Sequence, residues 1–154
     1  MCPENMESKK GIYALIISIQ QTICFPFKSQ CYCLEPGIYV YIGSAHGPGG
    51  VKGRVERHLR HEKKIKWHID NITISPDAKI AGIVYASTEN PECILTPKLE
   101  KLGFTHPIPG FGSSDCKRGC RSHLLACHKQ SVECIQDVLI AFKESGLRNV
   151  QVWP

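Results

Sequence analysis

The nine residues Gly11–Ile19, GIYALIISI, constrain this chain more than any other stretch. Successive side chains of a strand point to opposite faces, and here nearly every one is apolar. Such a run has no polar edge or face to give to water, so it reads as a central strand. Two further runs, Gly37–Ile42 and Lys79–Ser87, have the β-branched and tyrosine-rich make-up of partners for it. The expectation is one domain of the α/β (α+β) class. Its core is a small, mainly antiparallel three-stranded central sheet of residues 11–19, 37–42 and 79–87, flanked by helices. Gln20–Pro36 is less regular, and Pro26 and Pro36 argue against a central strand there. It reads as a long excursion between two antiparallel strands, with room for a short edge strand.

The second strand runs straight into Gly43-Ser44-Ala45-His46-Gly47-Pro48-Gly49-Gly50, a loop open to backbone conformations that other residues avoid. A basic helix is expected next, from about Val51 to Glu62. Val51, Val55 and Leu59 form its buried stripe, with Arg54 and His58 on the shoulder of that stripe. Between Lys52 and Lys66 seven Lys and Arg face only Glu56 and Glu62, a local charge equal to the +5 of the whole chain. A strand, a glycine loop and a cationic helix suit a phosphate-bearing partner. Gly43, Ser44, Lys52, Arg57, Arg60, Lys63 and Lys64 are the candidate phosphate contacts. The polyanion expected is DNA, with RNA as the other choice. The competing reading of the same charges is a solvated helix face.

Trp67-His68-Ile69-Asp70 supports two readings. His68 and Asp70 either extend a catalytic or metal site, or are bonded structurally beside a core Trp67 and Ile69. Asn90-Pro91 has the grammar of a helix start, and Pro97 either bends that helix or forces a restart with Thr96 as cap. Gly103–Cys120 is loop-like, and a long loop in a small domain is functional or anchored by something specific. An amphipathic helix is expected over Ser131–Glu144, then an edge strand near Val150–Trp153. Residues 1–10 read as a flexible leader, 11–128 as the domain, and 129–154 as a helix and strand packed on it. No apolar run reaches the ~20 residues of a membrane helix, and residues 1–11 hold no signal-peptide pattern. The expectation is a cytoplasmic protein with its nine cysteines mostly reduced.

Gly11-Ile12-Tyr13 on the first strand and Tyr41-Ile42-Gly43 ending the second resemble the paired signatures of the GIY-YIG nucleases. The strings YVYIGSA, RVERHLR, WHID, PEC and GFGSSDC…SHL, in this order over residues 11 to 125, resemble the DUF123-type subgroup, some of whose members are fused to endonuclease III. The resemblance implies a Mg²⁺- or Mn²⁺-dependent endonuclease acting on DNA, branched or damaged DNA included. It also implies an association with base-excision repair enzymes. By the same resemblance Tyr13 activates water, Arg54 stabilises charge and Glu92 holds the metal, with Tyr41 and His58 in support. The rival expectation is a nucleic-acid binder that keeps the fold without catalysis.

The chemistry asked of these residues is reasonable. Phosphodiester hydrolysis needs a positioned water, a proton acceptor and stabilisation of charge on the phosphoryl and leaving oxygens. Arginine is always charged and bidentate toward phosphate. One carboxylate can anchor a hard ion that keeps several waters. A tyrosine base needs its pKa of about 10 lowered, which neighbouring cations are expected to do. Cys116, Cys120, His123 and Cys127 invite a zinc reading. Their C-x3-C-x2-H-x3-C spacing is not one of the usual paired knuckles, so free thiols beside a hydrogen-bonded histidine are expected instead, without zinc.

Overall fold

In chain order the elements are β1 (Gly11–Ile19), β2 (Ile23–Phe27), β3 (Gln30–Leu34), β4 (Gly37–Ala45), α1 (Gly50–Leu59), α2 (Asp70–Thr73) and β5 (Ala78–Ser87). A 3-10 turn at Glu92–Ile94, α3 (Thr96–Lys101), β6 (Leu124–Cys127), α4 (Ser131–Glu144) and β7 (Gln151–Trp153) complete it. The structure is a computed structural model and describes residues 6, 8–113, 116 and 118–154.

β1 takes the central place its composition demands, with every residue but Ser18 buried. It pairs antiparallel with β4 on one side and β5 on the other. β6 adds to the far side of β4 and β7 to the far side of β5, giving the order β6-β4-β1-β5-β7. The three expected strands are therefore the middle of a five-stranded sheet. Both faces are covered. Tyr13, Leu15, Ile17 and Ile19 pack with Val51 and Val55 of α1, Ile69 and Ile72 at α2, and Phe25, Phe27 and Leu34. On the other face Ile12, Ala14 and Ile16 pack with Leu95, Leu99, Val138 and Phe142. No helix among the described residues is long and apolar enough to cross a membrane.

Three local expectations change. The Gln20–Pro36 excursion is a hairpin of β2 and β3, with Pro26 opposite Cys31 in a two-stranded sheet where a missing N–H is tolerated. Its strands place Cys24 directly across from Cys33, and the two form a disulfide; Cys127 and Cys134 form another. Four of the eight described cysteines are thus paired, two disulfides that the expectation of mostly reduced thiols did not foresee, while Cys31, Cys93, Cys116 and Cys120 are free. Helix α1 stops at Leu59 rather than Glu62 because Lys63 folds back onto it. The Lys63 Nζ donates to the carbonyls of Arg57 (2.9 Å), which also accepts from Arg60 N, and of His58 (3.3 Å) at the end of the last turn.

Pro97 forces the restart. The chain makes the short turn at Glu92–Ile94 and begins α3 at Thr96, placing Pro97 in the first turn, where its missing N–H costs no helical bond. Helix α4 spans the residues its apolar spacing predicts and seats Val138, Ala141 and Phe142 against the sheet. Part of the expected leader is packed as well. Met6 is buried, and the Lys9 carbonyl accepts from Val51 N at 2.9 Å. Residues 1–5 and 7 of that leader lie outside the described residues.

Candidate active site

The site gathers at the end of the sheet where β1 begins and β4 finishes. Tyr13 sits opposite Gly43 in the β1–β4 register, and a Cβ on Gly43 would lie 2.5 Å from the Tyr13 Cζ and phenolic oxygen. Only glycine lets the buried Tyr13 ring lie flat on β4 there. Its phenol meets His58 Nε2 at 2.8 Å. His58 comes from the last turn of α1, is 1% exposed, and also faces the rings of Tyr41 (6.1 Å) and Trp67 (6.1 Å).

Arg54, one turn earlier on α1, stacks its guanidinium on the Trp67 ring at 4.4 Å from the centroid. Its charge acts on Tyr13, Tyr41 and His58. Glu92, on the 3-10 turn, acts on both tyrosines from the other direction. The five candidate catalytic residues therefore come from four separate elements and meet around one phenol.

Burial controls the protonation states. It pushes the Tyr13 phenol well above the ordinary tyrosine value, Tyr41 adds to the rise, and the Arg54 charge opposes it without prevailing. Tyr41 is pushed up to about 12 by burial and then by Glu92. Burial, then the Lys63 charge, hold His58 down at about 3, so its imidazole is neutral at pH 7. The cations thus do not lower the phenol as expected. At neutral pH the centre is a neutral tyrosine hydrogen-bonded to a neutral histidine.

The remaining candidates divide. Asp70 is fully buried and accepts from the Arg57 guanidinium, from Lys66 N (2.9 Å) and from Trp67 N (3.0 Å). Burial alone would raise its carboxyl, but these donors outweigh it and hold the group below the usual range. Lys63 Nζ lies 3.8 Å from the same carboxylate. Asp70, Arg57 and Lys63 thus form an internal cluster that folds the 60–70 segment against α1 and presents Trp67 to Arg54. His68 sits edge-on to the Phe27 ring at 4.7 Å and belongs to the hairpin contact. Lys52 lies 4.0 Å from Glu56 on the same helix face, Arg60 and Lys64 are exposed, and Ser44 is half-buried on β4.

A second group of side chains touches the first. His123 precedes β6, and its carbonyl accepts from Ile42 N at 2.9 Å, beside Gly43. Its Nδ1 lies 3.5 Å from Glu92 Oε1 and its Nε2 lies 3.3 Å from Cys93 Sγ. Gly112, at φ +72°, fits between Tyr41 and His123: a Cβ there would lie 3.1 Å from Tyr41 Cε1 and 3.3 Å from His123 Cβ. Cys93, Cys116, Cys120 and His123 bring their ligand atoms within 4.8 Å of one another.

The chain belongs to the DUF123 family. The family model, described as a domain of unknown function, matches residues 12–144. No curated protein and no solved structure matches the chain. The DUF123 match spans all of the side chains just described, on both faces of the sheet. Two of them escape the sequence. Trp67 carries a platform role that only the Asp70 cluster explains, and Cys93 joins a group whose other members lie more than twenty positions later. The one signal for Cys93 is its place next to Glu92.

Proposed function

We propose that this DUF123 chain is a metal-dependent endonuclease of the GIY-YIG kind, hydrolysing phosphodiester bonds in DNA. The observation that carries the reading is the Tyr13–His58 hydrogen bond with the charges of Arg54 and Glu92 acting on the same phenol. That group supplies the parts the chemistry needs: a proton acceptor, a fixed guanidinium and one carboxylate.

The donor set fits a hard divalent ion. Glu92 offers the carboxylate oxygen that Mg²⁺ or Mn²⁺ takes as a ligand. Glu92 would hold that ion, which would supply neutralisation of charge on the phosphoryl and leaving oxygens. Arg54, steadied on Trp67, faces the phosphoryl oxygens with a planar, bidentate guanidinium. Tyr13 orients the attacking water through its phenolic oxygen. Because its own pKa is raised, Tyr13 works as a relay: it takes the water proton as its hydroxyl proton passes to His58 Nε2. A neutral His58 is the form that can accept it. Tyr41 walls the site beside His58. Arg60 and Lys64 supply outlying phosphate contacts that position DNA without reading its sequence.

The full chain is tested against nicked, branched, abasic and single-stranded DNA, and RNA of the same forms, with Mg²⁺ or Mn²⁺. Cleavage lost in EDTA and in Glu92→Gln, with binding retained, supports the hydrolytic reading. A wild-type chain that binds these substrates and cuts none of them overturns it. One observation favours that second reading, a binder that keeps the fold: Tyr13 and His58 are each 1% exposed, which leaves a water little access to the relay.

A further inference from the structure

Three cysteines and a histidine from three separate segments converge between the 3-10 turn and the Gly103–Cys120 loop, beside Glu92 but with none of the four used by the hydrolytic reading. Cys93 comes from the turn, Cys116 and Cys120 from the end of the loop, and His123 from the entry to β6. All four ligand atoms lie within 4.8 Å of one another. In a tetrahedral site with Zn–S near 2.3 Å, neighbouring sulfurs sit about 3.8 Å apart, so closing the group onto an ion takes shifts of about an ångström.

We infer that Cys93, Cys116, Cys120 and His123 form a closed, structural Zn²⁺ site. Soft thiolates with one imidazole select zinc over the hard ions that Glu92 suits. Four protein ligands leave no open position, which marks a structural site and not a catalytic one. The inference differs from a reading by spacing alone, because Cys127 is spent in a disulfide with Cys134 and Cys93 takes its place.

Three features outside the ligand set agree. The imidazole is already turned to ligate, with Nε2 facing the Cys93 sulfur at 3.3 Å and Nδ1 facing Glu92 Oε1 at 3.5 Å. A carboxylate that accepts from Nδ1–H leaves the Nε2 lone pair for a metal, the usual outer-shell arrangement for a ligating histidine. The hydroxyl of Thr96 stands 3.6 Å from Cys120 Sγ, within reach of a thiolate. Three thiolates and a neutral imidazole around Zn²⁺ carry one net negative charge, and Arg118 and Arg121 line the open groove over Cys93 and Cys120. Such a site also supplies the anchor that a long, irregular loop in so small a domain requires. Cys93 adjoins Glu92, so the ion would hold the Glu92 turn in place against Tyr41. Glu92 then positions His123 with the same carboxylate that faces the tyrosines.

The test uses the full chain expressed with added zinc and purified under reductant without chelator. Elemental analysis should find one zinc per chain, and Co²⁺ in its place should give the intense thiolate-to-cobalt absorption of a tetrahedral sulfur site. Among the described residues four cysteines lie outside the two disulfides, Cys31, Cys93, Cys116 and Cys120. The last three should resist a thiol reagent until a chelator removes the zinc. Cys93→Ser with Cys120→Ser should lose the metal, and Cys31→Ser should keep it. If the double variant does not fold, the wild-type zinc content and cobalt spectrum still decide. Metal-free protein with no cobalt absorption and thiols indifferent to chelator overturns the inference, as does zinc that survives in the double variant. None of these readouts involves DNA, so a zinc-loaded chain that cuts nothing overturns only the hydrolytic reading.

Discussion

Acid should weaken this protein through one buried side chain, His58. Its pKa is about 3 in the folded chain, against 6.5 for an unperturbed histidine. The depressed value means the unfolded chain binds the proton more readily at every pH between the two. Stability therefore rises with pH across that window and is lost as pH falls through it. Linkage over this window puts the loss relative to pH 7 at roughly 2 kcal/mol by pH 5 and roughly 3 kcal/mol by pH 4. Other groups titrate in the same range, so the decisive quantity is a difference between two proteins. Urea unfolding of wild type and His58→Gln at pH 7 and pH 5 gives it. Glutamine can still hydrogen-bond the Tyr13 phenol but has no proton to take up. Wild type should lose about 2 kcal/mol more than the variant between the two pH values. Equal losses would show that His58 titrates normally. The neutral Tyr13–His58 pair, and with it the proton relay built on it, would then be wrong.

Gly43→Ala places a methyl 2.5 Å from the Tyr13 phenol carbon, and overpacking of this kind costs about 1–3 kcal/mol. Denaturation should show that loss shrinking when Tyr13→Leu clears the space, and cleavage should fall with the single change. Asp70→Ala removes the anion shared by Arg57 and Lys63 and should cost about 3 kcal/mol in thermal or urea unfolding. Its cleavage per folded molecule should fall as well, because the cluster no longer holds Trp67 under Arg54; a folded variant at full activity would refute that positioning role. Arg60→Gln with Lys64→Gln should weaken DNA binding alike for all sequences and lower the salt dependence of binding by about two charges' worth. An unchanged salt slope would place the DNA elsewhere.

Much of this arrangement was legible in the residues, for reasons that differ by element. The all-apolar β1 admits only a central position, and α4 shows its helical period over its whole length, so both fell where periodicity put them. β6 has only four residues, Leu124–Cys127, set against β4 on one side and bridged at Ala126 to Thr105 on the other, so neither length nor alternation announces it. The hairpin was masked by Pro26, which is harmless in a two-stranded sheet and excluding in a central one. Tyr13, Tyr41, Arg54 and His58 are singled out through the resemblance carried by Gly11-Ile12-Tyr13 and Tyr41-Ile42-Gly43, not by spacing alone. The protonation states were not legible, since they follow from burial and not from nearest charges. Nor was the cysteine pairing, because Cys24 meets Cys33 only through the hairpin register, and Cys93 meets Cys120 only through the loop.

The basic run from Lys52 to Lys66 also changes meaning once its partners are known. Taken as a count, seven cations look like an even platform for a polyanion. In the fold, Arg57 and Lys63 are drawn inward by the buried Asp70 carboxylate, and Lys66 leans on the Trp67 ring. Their work is to return the chain after α1 so that Trp67 lies under Arg54. A guanidinium stacked on an aromatic face loses less freedom when it meets a phosphate than a free one does, and it is aimed before the substrate arrives. Most of the charge in the run therefore goes into placing one arginine beside Tyr13. Arg60 and Lys64 are exposed without such a role, and Lys52 is half-buried and weakly paired with Glu56. The DNA contact this predicts is narrow: one oriented guanidinium at the phosphoryl group and a sparse rim of screened charges around it.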